Sequence, residues 1–542
     1  MKKIKDICAS VLLGSFLLAG NSCGDYLDVL PENSQVSDTY WKSADDVENF
    51  LMGGYYYLRS NVESYIIPWG ELRASVVYRW SGTPKLQSWQ MTSTDSYCKW
   101  DSWYKIINIA NTVLERADEA CQNSDTYTEA ARNSHYTEAA FLRAISYFYL
   151  VRNFRDVPMP LQAYSDDKVT INIPKVSEDT VINQIKADLK AAIATGAAKE
   201  SFETTWETKG RATKWALYAL MADVCLWHED YEECITYCDA LLNASGSKVP
   251  AFMATPTRSN YMSMFNPGNS NESIFEIQYN YEEDQTNNLP LLFDDQNLSG
   301  IYAISAEACT DFVNEYTTIV GDNEGAITSG KESARTYHSA FYPGSNQSMA
   351  PGLQRGYVWK YLGSTTEDKK RTSTYYDPNF IIYRMADIIL MRAEAYLRLD
   401  GDNPTTEHKL EAVRMINKIR ERAGYADENN VAGAELRSND LEEATFVVEQ
   451  YTQEQLLEMV LDERKLEFVG EGKIWYDMLR MGRANNNKYK TSFLVDQVIR
   501  YNTSASESWL RSVLNSDNAL FLPIYNSEIE SNDKLVQNPY YK

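Results

Sequence analysis

Two clusters of aromatic and polar residues carry the chemistry most open to a ligand. The first holds Tyr78, Arg79, Trp80, Trp89 and Tyr97, with Gln87, Gln90 and Asp95 among them and Trp69 just ahead. The second holds Tyr302, Tyr337, Phe341, Tyr342, Tyr357 and Trp359. Aromatic rings stack on the C–H faces of a neutral sugar, and nearby amide, carboxylate and guanidinium groups hydrogen-bond its hydroxyls. The chain has 38 Tyr and 12 Trp against 17 Phe. That excess favours amphipathic rings, which suit interfaces better than deep cores. Tyr337 and Tyr342 sit among Gly, Ser and Asn and read as exposed. Trp359 and Tyr361 alternate with Lys360, which predicts a strand with one buried face. For Trp80 and Trp89 the competing reading is a hydrophobic plug that anchors a loop.

Catalysis finds no comparable support. A glycosidase needs two carboxylates held about 5–10 Å apart across the scissile bond, and nothing marks such a pair among the 76 acidic residues. There is no H-E-x-x-H, G-x-S-x-G or Walker A pattern. His135, His228, His338 and His408 are scattered. Cys234 and Cys238 lie four apart on a predicted helix without accompanying ligands, so they and Cys98, Cys121, Cys225 and Cys309 read as small buried hydrophobes. Asp322, Asn323 and Glu324 could offer oxygen ligands to Ca²⁺, but a solvated turn is the simpler reading. The chain calls for no cofactor and no metal, and it reads as a binding protein.

Cys23 carries chemistry of another kind. Lys2, Lys3 and Lys5 precede an apolar run over 11–19, and Gly20, Asn21 and Ser22 lead into the cysteine. This is the layout of an export signal, too short for a membrane span of about 20 residues. A cysteine at the cleavage point is the lipid acceptor of bacterial lipoproteins. Gly20 and Ser22 replace the usual Leu and the usual Gly or Ala, and an ordinary signal cleaved nearby is the alternative. Residues 1–22 are therefore read as a lipoprotein signal peptide and 23–542 as a single domain. Loss of three lysines and one aspartate would take the net charge from −24 to near −26. That charge argues against nucleic acid or an anionic bilayer as ligand and suits a neutral one.

The elements that must position these residues are helices. Apolar residues recur at helical spacing over 49–61, 100–120, 137–153, 178–194, 214–227, 231–243, 385–399, 407–423 and 452–469. In the third run Phe141, Ala144, Ile145, Phe148 and Tyr149 follow i, i+3, i+4, i+7, i+8. Paired helices with Ala219, Ala222, Ala393 and Ala395 at close-packing places predict a mostly α tetratricopeptide-like scaffold of about four helix pairs. Two loop-rich insertions, at about 66–97 and 244–377, interrupt it with a few short strands, one over 273–279. Binding residues concentrate on such loops.

The motifs on this plan resemble the SusD/RagB family of starch-utilisation outer-membrane lipoproteins. Glu138, Phe141, Leu142, Arg143, Ala144, Tyr147, Phe148 and Leu150 fit E-x-x-F-L-R-A-x-x-Y-F-x-L. Phe154, Arg155, Asp156, Val157 and Pro158 follow the F-G-D-V-P pattern, with Arg155 in place of Gly. Further matches are 210–214, 271–276, 384–396, 416–424, Glu463 with Arg464, 471–482, 522–524 and 537–540. The resemblance implies a non-catalytic protein on the outer membrane, facing outward. Such a protein captures oligosaccharide or polysaccharide and passes it to a SusC-like TonB-dependent transporter. It implies glycan contacts by a Trp and an Arg in the first insertion and by residues of the second. Asp25 and Asp28 fit the acidic start of surface-exported lipoproteins. A peptide-binding uptake protein of the same architecture is the alternative. Arg143, Arg384, Arg392, Glu394 and Arg464 are expected to form charge pairs within the scaffold, and Trp100, Tyr104 and Asn111 to belong to it.

Overall fold

A computed structural model describes residues 40–80, 82–164, 172–255, 258–293, 302–312, 335, 355–356, 358–363, 370–372, 376–423 and 448–542. The signal segment, Cys23, Asp25, Asp28, Tyr337, His338, Phe341, Tyr342, Tyr357 and the 322–324 triplet lie outside the described residues.

The chain folds as a stack of helices. These are α1 Ala44–Asn61, α2 Asp101–Gln122, α3 Glu129–Phe154, α4 Glu178–Ala194, the short α5 Thr205–Gly210, α6 Lys214–Trp227, α7 Tyr231–Leu242, α8 Met385–Leu399, α9 Thr406–Ala423, α10 Gln453–Phe468, α11 Ile474–Asn487 and α12 Glu507–Leu514. Successive long helices pack on one another: α2 on α3, α6 on α7, α8 on α9, with α7 and α10 also against α8. This is the stacked-pair plan in which each pair buries an apolar face that it could not bury alone.

Local chemistry sets the helix ends. Ser43, Thr128, Ser177 and Thr213 cap α1, α3, α4 and α6 by accepting a backbone N–H two to three residues inside, which satisfies a donor that the first turn leaves open. Thr452 and Gln455 form a reciprocal capping box on α10. At the end of α3, Arg155 adopts φ +67°, the region that glycine enters at no steric cost. It is the place where the family pattern carries Gly.

The strands are short: β1 Val77–Arg79, β2 Val157–Pro158, β3 Lys175–Val176, β4 Ser273–Ile277, β5 Tyr302–Ser305, β6 Arg355–Gly356 and β7 Phe380–Arg384. They form a three-stranded sheet in the order β1-β5-β6 and two antiparallel pairs, β2-β3 and β4-β7. The second insertion contains the predicted strand as β4. The strand expected around Trp359 is instead a helical turn, Trp359–Leu362, with both faces buried. Lys360 is buried because its ammonium donates to Glu467 O and Glu471 Oε1 at 2.8 and 2.6 Å, so the alternation that predicted one wet face does not hold.

Charge pairs lock the helices together. Arg143 binds Asp188, Arg392 binds Asp239 and Glu411, Arg480 binds Glu394, and Arg464 binds Asp387 and Asp477. Arg384 reaches Glu272, Glu467 and Glu471, and Arg422 reaches Glu272 and Glu467. Arg384, Arg422 and their glutamate partners are buried, and the Glu467 carboxylate gathers three guanidinium groups. Burial alone would raise its carboxyl, but Arg422, Arg384 and Arg335 outweigh that and hold it well below the usual range. Trp100 is buried, Tyr104 donates to Pro158 O and Asn111 to Pro160 O, so all three serve the scaffold. Of the six cysteines among the described residues, Cys121 is half-buried and the other five are buried, all with free thiols.

Candidate functional site

The first insertion begins as regular structure. Two π-helical turns, Val62–Ile66 and Pro68–Leu72, extend α1 and bury Trp69 against Trp103, with ring centroids 5.7 Å apart. Gly70 lets the second turn touch the 470–472 loop: a Cβ there would lie 1.9 Å from Gly472 O. The chain then enters β1, the edge strand of its sheet.

The β1 register sorts the candidate residues. Tyr78 pairs with Ala303 and Arg79 with Tyr302. Alternation along a strand puts Tyr78 on one face, Arg79 on the other, and Trp80, just past the strand, back on the Tyr78 side. All three are half-buried. Tyr78 and Trp80 thus lie on the same side of the chain, both half-buried, with the Trp80 indole nitrogen itself buried. On the opposite face Tyr302 is buried beside Tyr97 and Arg79. Burial and a hydrogen bond with Tyr97 push its hydroxyl up, and the Arg79 guanidinium acts in the opposite sense. Arg79 and Tyr97 are therefore brought together, around a tyrosine supplied by the second insertion.

Trp89 goes elsewhere. It ends the helical turn Lys85–Ser88 with φ +58° and is 5% exposed, its ring edge-on to Trp475 at 5.1 Å. It fills the core beneath the loop and offers no face to a ligand. Gln87 is also buried: its Oε1 accepts from Arg79 N at 2.8 Å and its Nε2 donates to Ser504 Oγ. Asp95 holds its own turn by accepting from Thr92 N. Gln90 is exposed.

The C-terminal region supports this loop. Asn502 Nδ2 donates to Gln87 O and Ser75 Oγ, and Trp509 Nε1 donates to Ser88 O at 3.1 Å. Trp509 is 36% exposed, an aromatic surface beside the first insertion that lies about 420 residues away in sequence. Its signal is a Trp between Ser508 and Leu510 on a strongly amphipathic helix. Trp206 is the other exposed tryptophan among the described residues, marked in sequence by its polar neighbours Thr204, Thr205, Glu207 and Thr208.

A cavity near the centre of the stack is lined by Arg152, Asp223, Asp387, Arg464, Asp477 and Arg480. These groups pair with one another and belong to the scaffold network. Among the described residues no cluster of His, Cys, Asp or Glu could hold a metal ion, and no helix is long and apolar enough to cross a membrane.

Comparison with known proteins decides the family. The model of the SusD family matches residues 312–541, and a model described as "Starch-binding associating with outer membrane" matches 25–226. The chain belongs to the SusD family. The SusD-like protein P38 of Formosa agariphila is 26% identical over 519 residues, covering 89% of this chain and 93% of that protein. A SusD superfamily protein of Bacteroides thetaiotaomicron has the same fold, with a TM-score of 0.66 at 21% identity, over 93% of this chain and 99% of the other. One from Bacteroides vulgatus gives a TM-score of 0.67 at 19% identity, over 92% and 100%. The helical stack with its loop-borne β1 sheet is therefore the SusD fold.

Proposed function

We propose that this SusD-family chain is a non-catalytic, lipid-anchored protein of the outer-membrane surface. It captures a neutral oligosaccharide and hands it to a SusC-like TonB-dependent transporter. The observation that carries the reading is the placing of the half-buried Tyr78 and Trp80 on one side of β1, with Arg79, Tyr97 and Tyr302 gathered on the other. Stacking on such a pair and hydrogen bonding at its margin is how a protein holds a polyhydroxyl ligand without charge. The family model named for starch binding and outer-membrane association supports the same class and place. The acceptor Cys23 and the basic-apolar start support the anchor.

A peptide is the weaker fit. A peptide could extend the sheet at its β1 edge. The register there turns the Arg79 N–H outward, and that donor is already taken by Gln87 Oε1. A side chain therefore closes the edge that a peptide would need. Tyr337 and Tyr342 stay as proposed contacts from the second insertion.

The test is affinity electrophoresis of the soluble chain from Gly24 through gels cast with plant, microbial and host polysaccharides. Retention by one glycan, lost in Trp80→Ala with the fold intact, is the expected result. Retention by none of them would overturn the reading.

A further inference from the structure

A groove opens between α1, α5 and β4, away from the residues discussed so far. Trp206 stands at its rim, 39% exposed. Tyr56, Arg59, Glu207, Gln278 and Gln285 line it. Met52, Tyr55, Tyr56 and Arg59 form one stripe along α1, at i, i+3, i+4 and i+7, so the helix presents a mixed aromatic and cationic face to the groove.

The polar groups are built in. Arg59 Nη1 donates to Gln285 Oε1 at 2.7 Å, and its guanidinium lies 5.6 Å from the Tyr56 ring centroid and 6.0 Å from that of Tyr279. That is its only hydrogen bond among the described residues, so four of its five N–H groups remain for a ligand. Gln278 is buried and fixed by Asn269 and Asn379. Gly210 lies directly against it, where a Cβ would meet Gln278 Cγ at 2.6 Å. Glu207 offers carboxylate acceptors, held in place by the capping box of α5 with Thr204.

We infer that this groove is a second carbohydrate-binding site, with Trp206 stacking on a pyranose ring while Arg59, Gln285 and Glu207 bond its hydroxyls. The proposal rests on the glycan reading above for its class of ligand but not for its place. The chemistry singles out that class. One exposed indole beside donors and acceptors of both kinds matches a ring with an apolar face and a hydroxyl rim. The groove is lined by Arg59, Arg211 and Glu207, and Arg211 is already paired with Glu48 and Glu138, so the groove offers a charged ligand little net attraction.

The experiment compares the soluble wild-type chain with Trp206→Ala, Trp206→Phe, Arg59→Gln and Trp80→Ala by affinity electrophoresis. The gels contain amylopectin, xyloglucan, galactomannan, arabinoxylan or laminarin, and circular dichroism monitors the fold. On the glycan that retains the wild type, Trp206→Ala and Arg59→Gln each weaken binding about 5–10-fold, the size of a lost ring contact. Trp206→Phe keeps most of it. Unchanged retention in both Trp206→Ala and Arg59→Gln would overturn the second site, while loss in Trp80→Ala would leave the first reading standing. No retention of the wild type on any gel would overturn both.

Discussion

At the scale of single residues, Trp89 and Trp80 illustrate how position decides role. Both sit in one insertion, yet Trp89 lies under the loop against Trp475 and Trp80 stays half-buried on the same side of the chain as Tyr78. Trp89→Ala should cost about 3–5 kcal/mol, the range for emptying a buried aromatic site. Urea unfolding would show it as a lower midpoint, with any weakening of glycan binding following from the lost fold. The aromatic cluster was legible in the sequence as a cluster. The burial of Trp89 was not, because its cover comes from residues near 475 and 502–509, which no local pattern connects to residue 89. For the same reason no local pattern connects Trp509 to this insertion. Glu71 gives a second prediction. Burial pushes its carboxyl up to about 8, partly offset by hydrogen bonding from the Gly472 N–H. Between an ordinary value near 4.5 and 8 the folded chain keeps a proton that the unfolded chain releases, so this group lowers stability as pH rises through that window. Glu71→Gln should flatten the fall in Tm between pH 5 and 9, measured by scanning calorimetry.

At the scale of elements, the helices were the most legible part. Runs over 178–194, 214–227 and 385–399 coincide with α4, α6 and α8, because each carries apolar residues at helical spacing between clear end signals. The strand-like reading of Trp359-Lys360-Tyr361 failed because a buried Lys, neutralised by Glu471, broke the rule that charged residues mark the wet face. The sequence alone gives no sign of the π-helical turn at 68–72, since its packing depends on contact with the distant 470–472 loop. Gly70→Ala tests that contact. Its Cβ would collide with backbone, which cannot swing aside, so the loss should reach or exceed about 3 kcal/mol, the upper end for overpacking. A low yield of soluble protein or a much reduced urea midpoint would register it, while near-wild-type stability would show that the two segments can part.

At the scale of the whole molecule, a network of buried ion pairs ties the late helices to β7 and the second insertion. Glu467 meets Arg384, Arg422 and Arg335. Glu467→Gln should destabilise by about 3–5 kcal/mol, the cost of leaving buried charge uncompensated. Arg384 and Lys360 also overcome burial to hold the Glu471 carboxyl at about 2. Such depressed carboxyls contribute stability above the unfolded value near 4.5, and it is lost as pH falls from there towards 2. The molecule as a whole carries −24 charges, yet the proposed ligand is neutral. Its affinity should therefore change less than about twofold between low and high salt, where binding of a charged ligand would change steeply.

The most direct measurement is a calorimetric titration. Oligosaccharides cut from the retained polysaccharide would be titrated into the soluble chain from Gly24 and into its Tyr78→Ala/Trp80→Ala double variant. The account predicts saturable binding to the wild type and loss of at least tenfold in affinity in the variant, with thermal unfolding unchanged. Equal affinity in the two proteins, or saturable binding only to a peptide digest run in parallel, would contradict it.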